Sequence, residues 1–126
     1  MALTKQYAQE VVATYIRAWV SQDPDLIVSI FADHATYHER VLDDPIVSRE
    51  GIRHYWKTKV VESQGNIECD LLSLYVDGDT AIAEWEARFD DLVQGKRKRM
   101  REVAILEFDE HLIVSLREYW TSQTVQ

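Results

Sequence analysis

Apolar residues recur at helical spacing through the first twenty positions. Val12, Tyr15, Ile16 and Trp19 form one stripe, and Thr4 ahead of them has a side chain suited to capping a helix start. The pattern predicts a helix from about Thr4 to about Val20 whose single apolar face must cover something. Asp23 then caps a second helix, with Pro24 at its first position and Asp25 in its first turn, both fitted to the positive end of a helix. This helix is expected to end near Ala32. From His34 to Arg40 the period falls to two, which puts Ala35, Tyr37 and Glu39 on one strand face. A loop holding Asp43-Asp44-Pro45 leads to a third helix from about Arg49 to Glu62, with Ile52, Tyr55, Trp56 and Val60 turned inward.

The remainder reads as strands. Asn66 to Val76 ends in the turn sequence Asp77-Gly78-Asp79, and Thr80 to Asp90 follows at once, so the two make a hairpin. Arg101 to Phe108, the turn Asp109-Glu110-His111 and Leu112 to Trp120 make a second, and the C-terminal half becomes an antiparallel meander. Helices followed by a curved sheet define an α+β class: a cone-shaped barrel in which three N-terminal helices pack on a strongly curved antiparallel sheet.

Alternation also sorts side chains between the faces of that sheet. If Trp85 points inward, so do Ala81, Ala83, Ala87 and Phe89. Leu112, Val114, Leu116, Glu118 and Trp120 share the inner face of the last strand, leaving Ile113, Ser115, Arg117 and Tyr119 outside. Glu102, Ala104, Leu106 and Phe108 alternate likewise, with Glu102 expected near the rim at the basic end of its strand. The inferred pocket is walled by Trp19, Tyr55, Trp85, Phe89, Leu106 and Trp120. Tyr15, Tyr37, Glu39 and Glu118 are its convergent polar groups.

A carboxylate on an apolar face is expensive, so Glu39 and Glu118 are candidate functional groups. Burial and a second carboxylate nearby each raise a carboxyl pKa, and one of the pair then serves as base while the other stays protonated as acid. Tyr15 is placed to donate to a ligand carbonyl. Bland alternatives stand beside each assignment. Tyr15 also reads as a core tyrosine bonded to a backbone carbonyl. Glu39 also reads as a partner of loop amides, Arg40 or Arg53, and Glu118 of Arg117, Arg101 or a second subunit. The tryptophans read first as core, although in a conical fold core and pocket wall overlap.

Composition narrows the class. The chain has 126 residues, nearly half of them apolar, with four Gly and two Pro, which describes one ordered domain over residues 1–126. A formal charge of -8 argues against nucleic acid as a partner, and the basic run Lys96 to Arg101 reads as the start of a strand leaving a hairpin. No stretch approaches a membrane span or a secretory leader, and the single cysteine, Cys69, suits a reducing compartment, so the expected location is cytoplasmic, away from membranes. His34 and His38 on a strand would lie roughly 13 Å apart, and neither a metal nor any other cofactor is expected. The outer sheet face, with Ile82, Glu84, Glu86, Arg88, Arg101, Val103, Ile105, Arg117 and Tyr119, mixes aliphatics with both charge signs and suggests a homodimer.

The element order resembles the nuclear transport factor two-like superfamily, in particular its polyketide cyclase-like (SnoaL-like) and ketosteroid isomerase branches. The likeness rests on Tyr15-Ile-Arg-Ala-Trp19 with Asp23 and Asp25, Phe31-Ala-Asp-His-Ala-Thr36, Arg49-Glu-Gly-Ile-Arg53 with Tyr55-Trp56, Asp77-Gly-Asp79, and Phe108-Asp-Glu-His111 ending in Glu118-Tyr-Trp120. The resemblance to ketosteroid isomerase implies that Tyr15 matches an oxyanion-hole tyrosine and Glu39 a proton-shuttling aspartate, while Ala104 stands at the second oxyanion donor. Resemblance to limonene epoxide hydrolase aligns Tyr37, Glu39 and Glu118 with its water-holding residues, and Trp85 and Ala87 with its arginine and acid. The expected activity is proton transfer of the isomerase or cyclase type on a small hydrophobic ligand. The alternatives are a non-catalytic binding or dimerisation module and epoxide hydrolase-type hydrolysis.

Overall fold

The structure, a computed structural model, describes residues 2–125. Helix α1 (Lys5–Ser21) starts as its sequence demands: the Thr4 side chain accepts from the Tyr7 N–H at 3.1 Å. It stops at Gln22, in a left-handed conformation with φ 54°. The next cap follows at once, Asp23 accepting from the N–H groups of Asp25 and Leu26 to open α2 (Pro24–Val28).

Helix α2 ends at Val28, short of the expected Ala32. Strand β1 (Phe31–His38) begins early because Ile30 and Phe31 are captured by the last strand, where the Ile113 N–H donates to Ile30 O at 2.9 Å. Long-range pairing has overridden local helix propensity. A short β2 (Ile46–Val47) pairs antiparallel with β1 and leads into α3 (Ser48–Tyr55). The expected third helix changes character at Trp56, where a π-helical turn (Trp56–Val61) closes with the Glu62 N–H on Lys57 O at 3.2 Å.

Strands β3 (Gln64–Asp77), β4 (Thr80–Asp91), β5 (Lys96–Asp109) and β6 (Leu112–Thr124) form the expected meander. The β3–β4 reversal is a two-residue loop whose Gly78 takes φ +60°, the conformation that loop requires. β1 adds to β6 in parallel, so the six strands run in the order β2-β1-β6-β5-β4-β3, a mixed sheet where a wholly antiparallel one was expected. It is curved and open, with β2 and β3 at its edges. Helix α1 lies on β3 and β4, and α3 on β1, covering the concave face.

The inner face of β4 is as the alternation implies, with Ala81, Ala83, Trp85, Ala87 and Phe89 all buried. Strand β6 departs from strict alternation: a bulge opposite Glu107 and Phe108 shifts the phase, so Ile113 is fully buried where Leu112 and Val114 were expected to point inward. Beyond the bulge Leu116 and Glu118 face in again, as read.

Candidate functional site

Two carboxyls lie deep in the cone. Glu118 on β6 is 7% exposed and Glu102 on β5 only 1%. In the ladder Glu102 stands opposite Trp120 and Glu118 opposite Ala104, so the two acids are diagonal neighbours on one inner face. Glu102 is therefore not at the rim, as its place at the basic end of the strand suggested. The basic run continues outward past it while β6 extends to Thr124, and the site lies well inside the ladder.

The phenols converge on Glu118. Tyr15 on α1 donates to Glu118 Oε1 at 3.2 Å, and its hydroxyl lies 2.9 Å from that of Tyr37 on β1. Burial, then the negative charge of Glu118, hold both hydroxyls well above the ordinary tyrosine range, so both stay protonated as donors. The same two influences raise Tyr55. Desolvation raises Glu118 to about 7 against the bonds it accepts. Glu102 is pushed well above the usual carboxylate range, first by burial and then by facing Glu118, so it keeps the proton the pair shares. The Trp85 indole N–H sits near enough to Glu102 to favour its ionised form, without the geometry of a full hydrogen bond.

Glu39 does not join this pair. It falls just past the end of β1, its side chain 27% exposed and paired with Arg40 at 3.4 Å. The reading of Glu39 as a buried carboxylate is thus corrected: alternation placed it on the right face, but the strand ends at His38. Its backbone carbonyl instead accepts the Trp120 indole N–H at 3.0 Å, and the Arg40 guanidinium lies 4.8 Å from the centre of the Trp120 ring.

Around the pair is a chamber of about 60 Å³, walled by Tyr15, Trp19, Tyr37, Tyr55, Trp56 and Trp120 among others. Outside Trp120 opens a cleft of about 590 Å³ that shares Glu39, Glu118 and Trp120 with the chamber. A second opening of about 230 Å³ lies beside Tyr55, Gln64 and Phe89. Trp85 and Leu106, expected in the wall, are fully buried core residues, Trp85 with its ring 4.9 Å from Tyr15. Among the described residues no group of three or more His, Cys, Asp or Glu is placed to hold a metal ion, and no helix is long and apolar enough to cross a membrane.

The family model described as SnoaL-like domain matches residues 12–116. The chain belongs to this family. Among solved structures, the SnoaL-like chain is similar to SalBIII, described as an epoxide hydrolase/cyclase-like enzyme with a role in pyran ring formation in the polyether salinomycin. The identity is 23% and the TM-score 0.82, over 95% of this chain and 97% of that one. It is also similar to a hypothetical protein with a ketosteroid isomerase-like fold from Catenulispora acidiphila DSM 44928, solved in complex with trimethylamine. Here the identity is 20% and the TM-score 0.78, over 87% and 84% of the two chains. At these identities the likeness establishes the fold. No curated protein matches the sequence.

Two residues of this candidate site were not expected in it from the sequence. Glu102 carried a usable signal, since its alternation with Ala104, Leu106 and Phe108 already put it on the inner face. Trp56 was read as inward, and it is buried. Its side chain also lines the chamber, which depends on the π turn and leaves no mark in the periodicity.

Proposed function

We propose that the protein carries out acid–base chemistry of the isomerase or cyclase type on a small hydrophobic molecule. The reacting end of that molecule enters the chamber while its remainder lies in the 590 Å³ cleft outside. The observation that carries this reading is the buried Glu102–Glu118 pair. Two carboxyls on one desolvated face oppose each other's ionisation, so the pair holds one proton between them over a wide pH range. Glu118 is the base, Glu102 the acid, and Tyr15 with Tyr37 the donors that steady negative charge developing on the substrate's oxygen. Glu39, with Arg40, has its place at the mouth.

SalBIII lends support, because closing an oxygen ring requires a base for the incoming hydroxyl and an acid for the departing oxygen, and the pair offers one of each. The trimethylamine complex of the Catenulispora protein supports a small ligand. Hydrolysis of the epoxide type gains from the same observation, since Glu102 provides an acid that the positions of Trp85 and Ala87 do not. The direct test is exchange of α-protons of small cyclic ketones in D2O. The wild type should accelerate exchange over Glu118→Gln, and equal rates across a panel of such ketones would sink the proton-transfer reading.

A second reading, a binding or dimerisation module, draws on the outer face. There the charges pair within the chain, Arg101 with Glu84 and Glu86, and Arg117 with Glu107, while Tyr75, Ile82 and Tyr119 remain exposed. We propose a cytoplasmic homodimer through this face. Tyr119→Arg should halve the mass measured by sedimentation, and a monomeric wild type would rule the dimer out.

A further inference from the structure

The indole N–H groups of the four tryptophans divide into two kinds. Trp19 donates to Gln64 Oε1 at 2.8 Å and Trp120 to Glu39 O at 3.0 Å, so both are spent on the wall. The Trp85 N–H also lacks a full hydrogen bond, but it is turned toward the Glu102 carboxyl and its side chain does not line the chamber. Trp56 is different: it is 1% exposed, it lines the chamber, and its Nε1–H has no hydrogen-bond partner among the described residues. A buried donor left unpaired is a costly feature to retain. Trp56 also opens the π-helical turn, a geometry rare in proteins and concentrated at functional sites. That turn is anchored independently of any ligand, with Gln22 Nε2 donating to Val60 O and Gln64 O, and Ser63 Oγ to Thr58 O.

The partner that would satisfy Trp56 is defined by the rest of the wall. No Lys, Arg or His lines the chamber, and of its three glutamates Glu102 holds a proton and Glu39 pairs with Arg40, which leaves the charge of Glu118 to repel an anion there. A cation has nothing to accept from the indole N–H. A neutral molecule with an acceptor oxygen meets both conditions.

We propose that Trp56 is the residue that orients the bound molecule, its indole N–H donating to a carbonyl or ether oxygen of a neutral ligand so that the adjoining carbon lies at the Glu102–Glu118 pair. The assignment of chemistry to that pair rests on the function proposed above. The donor role of Trp56 does not.

Cyclopentanone and cyclopentane, alike in ring size and differing in the oxygen, separate the possibilities in the full-length protein with 15N-labelled indoles. Cyclopentanone should move the Trp56 indole proton downfield and leave those of Trp19 and Trp120 nearly in place, whereas cyclopentane should cause no such displacement. Trp56→Phe should weaken cyclopentanone about fivefold, the worth of one hydrogen bond, and leave cyclopentane unchanged. An unmoved Trp56 signal at saturating ketone, equal loss of both probes in Trp56→Phe, or no binding of either probe would overturn the proposal. A downfield shift without catalysed α-proton exchange would sustain the donor role and count against the acid–base reading. Exchange without the shift would do the reverse.

Discussion

Glu102 and Glu118 are diagonal neighbours across the β5–β6 ladder, both turned into the cone, and the carboxyl of one faces that of the other. Burial and this placement together set the electrostatics of the site. A buried carboxyl is raised by desolvation, a second carboxyl raises it again, and the tyrosine hydroxyls pull Glu118 part of the way back.

Stability should therefore fall as pH rises. Glu118 titrates near 7 in the folded chain against an ordinary value of 4.5. Below about 4.5 both states hold the proton and nothing is lost. Between 4.5 and 7 the unfolded chain releases it first, so the native state loses ground, by on the order of 3 kcal/mol. Thermal melts should show a lower Tm at pH 8 than at pH 5, and Glu118→Gln should flatten that slope and raise the Tm at pH 8. A wild-type Tm independent of pH across this window would contradict the buried ionisation.

Glu39→Gln makes a contrasting control. The side chain is partly exposed and pairs with its sequence neighbour Arg40, so the substitution should change stability by no more than about 0.5 kcal/mol. Urea titration of both glutamine variants distinguishes the two sites directly.

The rate of ketone α-proton exchange should be bell-shaped in pH. It rises near 7 as the pair loses its first proton and falls well above the carboxylate range as Glu102 loses the second. Tyr15→Phe removes a hydrogen bond that favours charged Glu118, so the rising limb should move to higher pH. The same variant should cost about 1 kcal/mol of stability.

Trp120 separates the chamber from the outer cleft, its indole held by Glu39 O and covered by Arg40. Trp120→Ala should join the two spaces and admit bulkier ketones, read as tighter binding of cyclohexanone relative to cyclopentanone. No change in that ratio would mean that the indole does not limit entry.

Leu106, by contrast, belongs to the core in register with Ala81 and Leu116, all three fully buried. Leu106→Ala should cost 2–5 kcal/mol, about the range for such a truncation, and lower the Tm without altering the pH dependence of stability.

Much of this architecture could be read directly from the chain. Thr4 and Asp23 cap the helices they were expected to cap, the Asp77-Gly78-Asp79 segment turns the chain, and Ala81 through Phe89 show which face of β4 points inward. Tyr15, Tyr37 and Glu118 were expected to converge, and they do. The depth of each group along the cone could not be read. Glu102 was expected at the rim and lies at the centre, Glu39 was expected inside and lies at the mouth, and Ile113 changed face at a bulge.

The division has a physical basis. Capping, turn formation and strand alternation arise from hydrogen bonds and steric contacts within a few residues, so the amino-acid order alone fixed the elements and the face on which each side chain sits. Depth depends on where a strand is cut off, on which residues of two distant strands lie opposite, and on the π turn that carries Trp56. Those were decided by pairing between segments more than eighty residues apart, such as Ile30 with Ile113 and Glu39 with Trp120, which only the folded chain brings together.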